Sequence, residues 1–208
     1  LVNADFKFAP AVDSKGKKYD VTQGNFYSTL LEHPDRKVRE TAFNSYHDKH
    51  IEFKNTLATN LSSSISANVF NMRARKFNTT LSASLFNNNV PEEVFHNLID
   101  TFKKNLPVWH RYFEIRRKAL GLKEIQYFDM WAPIAKKKTT LTYEKAVDYI
   151  SDSLAPLGKD YVSTLRQGTL KDRWVDSTVN QGKMNGAFSY GAPKTHPFIM
   201  MSFTDDIG

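Results

Sequence analysis

The sequence predicts a mainly α-helical protein: a large helical body with a small β-hairpin at the N-terminus and a small β-sheet at the C-terminus. Residues 36–76 repeat apolar side chains every three or four positions without Gly or Pro, which is the pattern of one helix face. Residues 5–21 alternate around a turn, and residues 197–203 form a short apolar run, as strands do. The expected divisions are residues 1–34 (hairpin and short helix), 35–168 (helical body) and 169–208 (sheet).

Composition limits the possible function classes. The chain of 208 residues contains no cysteine, which excludes a disulfide scaffold and thiol catalysis and fits the reducing cytoplasm. The longest uncharged stretch, residues 55–72, is interspersed with Asn, Ser and Thr, so we expect no membrane partner. The net charge of +7 is scattered, with concentrations at residues 103–104, 116–118 and 136–138. Solvated helix ends and a loop account for these clusters, so we expect no nucleic-acid partner.

The N-terminal residues predict a hairpin followed by one long helix. Alternation at residues 5–8 and 19–21 surrounds turn chemistry at residues 13–16, and Thr22 caps a short helix that ends before Pro34. Asp35 then caps a helix that we expect to run unbroken through residues 36–76, with several faces covered in its middle. Its apolar stripe consists of Val38, Ala42, Tyr46, His50, Phe53, Leu57, Leu61, Ile65, Val69 and Met72.

The middle of the chain predicts a polar connection and a broken helix. Residues 78–89 are mostly polar, and Pro91 is suited to a first helical position. Pro107 predicts a break near Asn105, and Gly121 is suited to end the second segment. One apolar face of the first segment holds Val94, Phe95, Leu98, Ile99 and Phe102.

The next stretch predicts an extended aromatic piece at residues 126–131 and a loop at residues 136–140. Thr142 caps a helix that ends near residue 154, and a further helix over residues 159–167 ends at Gly168. An extended connection anchored by Trp174 and Val175 follows.

The last residues predict two strands and a helix start. Residues 184–190 mix small and aromatic side chains, residues 191–196 hold turn formers, and residues 197–203 are apolar. Thr204 or Asp205 would cap a helix that the sequence does not contain. We therefore expect a chain cut at an internal boundary.

The residue types name no reaction by themselves. His47 and His50 lie three apart on one helix, but the metal motif of two His four apart beside a Glu is absent, and His50 falls on the apolar stripe. The sequence also lacks a phosphate loop and a nucleophile elbow. One candidate binding element remains: Gly186, Ala187, Phe188 and Ser189. Such a strand could pair with an extended peptide at a sheet edge, or simply pack on the helical body as an ordinary hairpin strand.

The C-terminal run GKMNGAFSYGAPKTHPFIMMSFTDDIG strongly resembles the segment just before the zinc-binding helix in the oligoendopeptidase F family of bacterial zinc metallopeptidases, relatives of thimet oligopeptidase. The runs DRKVRETAF, IEFKNTLATNL, ASLFNNNVPEEV, LPVWHRYFEIRRKALGL and YFDMWAP resemble that family's helical body in the same order.

This resemblance implies a fragment of a zinc-dependent oligopeptidase that hydrolyses short peptides. It implies that Gly186, Ala187, Phe188 and Ser189 hold the substrate backbone, with residues 197–203 as the partner strand. The family's zinc motif would lie past Gly208, so the resemblance places no catalytic or metal residue in this chain and implies Zn²⁺ only in the intact parent. The implied partners are short peptides and the missing C-terminal part; the chain alone is expected to be inactive. The alternative from the residues is a stand-alone helical module that binds peptides or nucleic acid.

Overall fold

A computed structural model describes residues 5–135, 140–180, 183 and 186–205. The helices are, in chain order, α1 (Arg36–Glu52), α2 (Lys54–Ala74), α3 (Thr80–Phe86), α4 (Glu92–Lys104), α5 (Leu106–Ala119), α6 (Tyr143–Ser153) and α7 (Lys159–Leu170). The strands are β1 (Ala11–Val12), β2 (Lys18–Tyr19), β3 (Val175–Asp176), β4 (Ala187–Tyr190) and β5 (Phe198–Met201). Short π-helical and 3₁₀ turns cover Phe26–Leu30, Tyr127–Asp129 and Ala155–Leu157. The predicted mainly α fold class is confirmed.

The chain divides into two units. The first comprises Leu1–Tyr46 together with Trp131–Gly208, and the second comprises His47–Met130. The first unit therefore holds the hairpin and the C-terminal sheet, and the second holds α2 to α5.

The N-terminal hairpin is confirmed, although its first strand is shorter and later than expected. β1 pairs antiparallel with β2. The Asp13 carboxylate closes the turn by accepting the N–H groups of Lys15 and Lys17 at 2.9 and 2.8 Å. Residues 5–8, predicted as a strand, are irregular: their alternation buries Phe6 and stacks Phe8 on Tyr46 rather than pairing backbones.

The core of the first unit packs against α1. Val38 and Ala42 are fully buried, and Tyr46 stacks on Phe26 with ring centroids 3.8 Å apart. The Tyr46 hydroxyl donates to Gln23 Oε1 at 2.7 Å, so the buried phenol keeps a hydrogen bond. The predicted apolar stripe is confirmed over this part of the helix.

The prediction of one unbroken helix over residues 36–76 is wrong. Phe53 interrupts it with φ −98° and ψ 16°, outside the α-helical range. No Gly or Pro marks this position, so the sequence carries no signal for the break. α2 has no buried residue, and its Leu61 and Ile65 are exposed, in contrast to the predicted covering of several faces. Within the second unit, α2 packs against α3. The seven residues of α3 are too few to cover several faces of α2.

Residues 78–89, predicted as a connection, contain α3. Thr79 caps it by accepting the Ser82 N–H at 2.9 Å, while its own N–H donates to Ser82 Oγ at 3.3 Å. This reciprocal pair is a capping box that uses Ser in place of the more familiar Glu or Gln. The predicted break between α4 and α5 is confirmed at Asn105, since Pro107 has no N–H to continue the helix.

The connection from α5 to α7 departs from the sequence prediction in two places. Residues 127–129 form a 3₁₀ turn, closed by the Gln126 N–H donating to Asp129, instead of an extended piece. Thr142 caps α6 as predicted, accepting the Lys145 N–H at 3.4 Å. α7 continues through Gly168 instead of ending there. Of the predicted loop at residues 136–140, residues 136–139 lie outside the described residues.

Candidate functional site

The candidate site is the three-stranded sheet near the C-terminus. Its order is β3-β5-β4, with β3 parallel and β4 antiparallel to the central strand β5. The predicted strands at residues 186–189 and 197–203 are confirmed as this antiparallel pair, in which Ala187 faces Met201 and Ser189 faces Ile199. β4 lies at the edge, and in the described part of the chain no strand pairs with its other side.

The register shows which main-chain groups of β4 point to the open side. In an antiparallel pair, residues that exchange hydrogen bonds alternate with residues that do not. The Ser202 N–H donates to the Gly186 carbonyl at 3.2 Å, so Gly186 belongs to the bonded set, and Phe188 and Tyr190 follow it. The N–H and C=O groups of Ala187 and Ser189 therefore point away from β5.

The central strand supports this assignment from its other side. The Ile199 N–H donates to the Trp174 carbonyl at 2.8 Å, and the Phe203 N–H donates to the Ser177 carbonyl at 3.0 Å. Ile199 thus directs its main chain towards β3, as a residue opposite Ser189 in a non-bonded pair must. The hydrogen bonds donated by Ile199 and Phe203 to one side and by Ser202 to the other therefore agree on the same alternation.

The side chains of β4 divide by size between the two faces of the sheet. Phe188 and Tyr190 share one face, and Ala187 and Ser189 share the other, because successive strand residues alternate. All four are exposed. Gly186 immediately precedes the strand and has φ 113°, a backbone conformation that a residue with a Cβ adopts only under strain. The smallest side chains therefore flank the outward-pointing main-chain groups.

Trp174 holds the sheet against α7. Its N–H donates to the Gly168 carbonyl at 3.0 Å, and its indole ring lies directly over the Gly168 Cα. The ring also stacks on His196, with centroids 5.3 Å apart and planes within 5°. The predicted helix end at Gly168 is corrected accordingly: this glycine is buried inside α7, where it makes room for the ring.

The chain after β5 is anchored to the start of α6. The Leu141 N–H donates to the Asp205 carbonyl at 3.1 Å, and the rings of Tyr143 and Phe203 meet edge to face at 5.5 Å. Residues 206–208, where the predicted helix start would continue, lie outside the described residues.

The other sequence candidates do not assemble into a site. Among residues 5–135, 140–180, 183 and 186–205, no three His, Cys, Asp or Glu side chains are grouped so that they could hold a metal ion. His47 and His50 lie in α1. His33 precedes that helix and accepts the Asp35 N–H through Nδ1 at 3.1 Å.

The basic clusters within the described residues occupy helix ends. Lys103 and Lys104 lie in the last turn of α4, where they oppose the negative end of the helix dipole. In the last turn of α5, Arg117 binds both carboxylate oxygens of Glu114 at 2.8 Å and donates to the Leu122 carbonyl. The cluster at residues 136–138 lies outside the described residues. The structure describes no helix that is both long and apolar enough to cross a membrane.

Sequence reasoning missed one residue of this region, Lys183. Lysine is mostly exposed, and composition gives no signal that this one is turned inwards. Its side chain is 8% exposed and reaches carbonyl oxygens at the end of β3.

Comparison with known proteins gives consistent results in sequence and in fold. The chain is 41% identical over 208 residues to oligopeptidase PepF of Bacillus subtilis (strain 168), which covers 100% of this chain and 31% of that protein. It is 36% identical to an oligoendopeptidase F homolog of Borreliella burgdorferi, covering 99% of this chain and 34% of that protein. The crystal structure of oligoendopeptidase-F from Enterococcus faecium superposes with a TM-score of 0.63 at 29% identity, covering 84% of this chain and 32% of that chain.

The chain thus spans about a third of the length of the curated relatives it matches. Residues 29–207 match Peptidase family M3. The resemblance to oligoendopeptidase F seen in the C-terminal run is confirmed, and the chain belongs to Peptidase family M3.

Proposed function

We propose that the full-length gene product carrying this sequence is a zinc-dependent oligopeptidase, and that this chain supplies helical scaffold and the strand that binds the substrate backbone. Membership of Peptidase family M3 and relatives named oligopeptidase and oligoendopeptidase support peptide hydrolysis. The absence of cysteine fits the cytoplasm, where we place the protein.

The observation that carries the binding role is the open edge of β4. An extended peptide can add to such an edge through main-chain hydrogen bonds, which are independent of its side chains. The outward N–H and C=O groups of Ala187 and Ser189 offer two donors and two acceptors to it. Small side chains at these two positions leave room for the peptide backbone. A site of this kind suits an enzyme that accepts short peptides of varied sequence.

The metal is assigned to the parent protein through the family alone. The described residues offer no set of three ligand side chains, and catalytic zinc sites use three protein ligands. These residues therefore do not fit a zinc ion, and no hydrolytic step is assigned to them. Their part in the reaction is to bind and orient the peptide.

An alternating pattern of N-methylation tests the proposed role of β4. The substrate is a quenched fluorescent peptide of about seven residues, assayed with the full-length gene product. Methyl groups on every second amide remove the donors of one set of residues and leave the other set intact. We expect methylation of one set to reduce kcat/KM about tenfold or more, since each lost hydrogen bond weakens binding. Methylation of the other set should have a much smaller effect. An equal decrease in kcat/KM for both sets of methylated peptides, or no hydrolysis of the unmethylated peptide, would overturn the proposal.

A further inference from the structure

Lys183 lies in the connection that leads to β4, with its side chain turned inwards. Its Nζ donates to the main-chain carbonyls of Thr178 at 2.6 Å and Asp176 at 3.1 Å. It also lies 3.0 Å from the Asp176 carboxylate. Its backbone N–H donates to the Asn180 carbonyl at 3.2 Å, so main chain and side chain are both held in this connection.

These contacts match the hydrogen-bonding capacity of an ammonium group. A lysine ammonium has three donors, and a buried one is stable only when charge and hydrogen bonds compensate for lost water. Here two carbonyls and one carboxylate supply three acceptors within 3.1 Å, while the side chain is 8% exposed. The acceptors come from the end of β3 and the residues just after it, so the ammonium binds the connection to that strand.

The position of this contact relates it to β4. β3 and β4 flank opposite sides of the central strand β5. Lys183 stands three residues before Gly186, where the backbone turns into β4 at φ 113°. An anchor at this point limits where the strand can begin, and so where Ala187 presents its main-chain groups.

We propose that Lys183 is a positioning residue: its ammonium binds the carbonyls of Asp176 and Thr178 and so fixes the start of the peptide-binding strand, without contacting the peptide. This inference rests on the proposed function of β4. The competing role for a lysine beside a peptide site is direct binding of a substrate carboxylate, which requires an accessible ammonium before the peptide arrives.

Lysine labelling of the wild-type protein separates the two roles. The full-length gene product is treated with an amine-reactive ester, with and without the quenched peptide, and labelling rates are read by mass spectrometry. We expect Lys183 to react about tenfold or more slowly than the exposed Lys171 and Lys194, and at the same rate when peptide is present. Fast labelling of Lys183, whether or not peptide slows it, would overturn the inference. This result does not depend on peptide binding, so it can fail or succeed separately from the proposed function.

Three variants test the consequence for the substrate. Lys183→Met keeps the length of the side chain and removes its donors; we expect KM for the quenched peptide to rise about tenfold while kcat changes less than about twofold. Asp176→Asn keeps the carbonyl acceptors and removes the charge that faces the ammonium, so we expect KM to rise, but by less than in Lys183→Met. Lys171→Met, the same change at an exposed position, should leave both constants within about twofold.

Two results would contradict anchoring through the carbonyls. One is an unchanged KM for Lys183→Met, and the other is a rise in KM for Asp176→Asn as large as that for Lys183→Met. If Lys183→Met does not fold, the labelling rates of the wild-type protein still decide the question.

Discussion

The Trp174 ring occupies the space that a side chain at position 168 would need, so its packing requires glycine there. A Cβ at Gly168 would lie 2.1 Å from Trp174 Cε3, well inside contact distance. Trp174 in turn bonds to the central strand through its carbonyl and stacks on His196. Sequence reasoning assigned Gly168 to a helix end, because glycine is common there. A single sequence does not distinguish that role from a glycine that admits an aromatic ring.

The substitution Gly168→Ala should therefore destabilise the protein. The added methyl group must displace the indole ring, and overpacking of this kind costs about 1–3 kcal/mol. Urea unfolding of the variant and the wild type measures the difference in free energy. Gly24→Ala is the matched control: its Cβ would meet only Thr22 Oγ1 at 4.0 Å, so its effect should be small. Equal stabilities for Gly168→Ala and wild type would refute the packing described here.

The Asp35 carboxylate predicts a loss of stability in acid. The hydroxyl and N–H of Ser14, together with the Lys37 N–H, donate to it and lower its pKa from 3.8 to about 2. Because the pKa of Asp35 is lower in the folded than in the unfolded state, its ionised carboxylate stabilises the folded protein. This contribution is fully present above pH 3.8 and is lost as the pH falls towards 2. Glu114, whose pKa Arg117 lowers to about 2, contributes in the same range. The free energy of unfolding should therefore fall as the pH is lowered through this range.

Variants assign part of this slope to Asp35. Asp35→Asn should flatten the dependence of stability on pH between 4 and 2, and Ser14→Ala should do so partly, because it removes one of the donors. Urea unfolding at a series of pH values measures both. A slope in Asp35→Asn as steep as in the wild type would show that this carboxylate is not linked to folding.

At the scale of elements, helix starts follow from local chemistry, whereas the break at Phe53 does not. Thr142 caps α6 through a side-chain oxygen, a short-range interaction visible in the sequence. Phe53 leaves the helical range without Gly, Pro or a capping residue to signal it. Helix α3, which the sequence did not predict, does have a local start signal, because Thr79 and Ser82 form a capping box. The usual capping-box pattern requires Glu or Gln in place of Ser82, so it does not detect this one.

The cap of α3 can be tested by one substitution. Thr79→Ala removes the acceptor of the Ser82 N–H and the hydroxyl that donates to Glu92, so we expect a loss of about 1 kcal/mol. Thr80→Ala, at the exposed first position inside the helix, should cost less, because alanine is the better helix former. Hydrogen exchange of the α3 amides compares the two. Faster exchange in Thr80→Ala than in Thr79→Ala would contradict the assigned cap.

At the scale of the whole molecule, the periodicity of apolar residues predicted the helices but not their burial. The apolar face predicted for α4 exists, yet Val94, Leu98 and Phe102 are exposed, with Leu98 at 68%. Burial depends on what else packs on a face, and a chain that spans about a third of its relatives' length does not specify this. The C-terminal strands and their order along the chain were predicted. The position of β4 at the edge of the sheet was not predicted, because the periodicity of apolar residues is the same in edge and central strands.

Exposed apolar faces predict dye binding by the isolated chain. The 208-residue chain should bind the hydrophobic dye ANS more strongly than the full-length gene product, because we expect the rest of that product to cover exposed apolar side chains such as Val94, Leu98 and Phe102. Leu98→Lys should reduce the fluorescence of the isolated chain, and Asn97→Lys, next to it, should not. Equal fluorescence for the two variants would show that the dye binds elsewhere.

Residue-resolved hydrogen exchange on β4 tests the central claim most directly. The amides of Phe188 and Tyr190 already pair with β5, whereas those of Ala187 and Ser189 point to the open edge. When the quenched peptide is added to the full-length gene product, exchange at Ala187 and Ser189 should slow markedly, while exchange at Phe188 and Tyr190 changes little. Peptide binding that leaves the Ala187 and Ser189 amides unprotected would contradict the assignment of this strand.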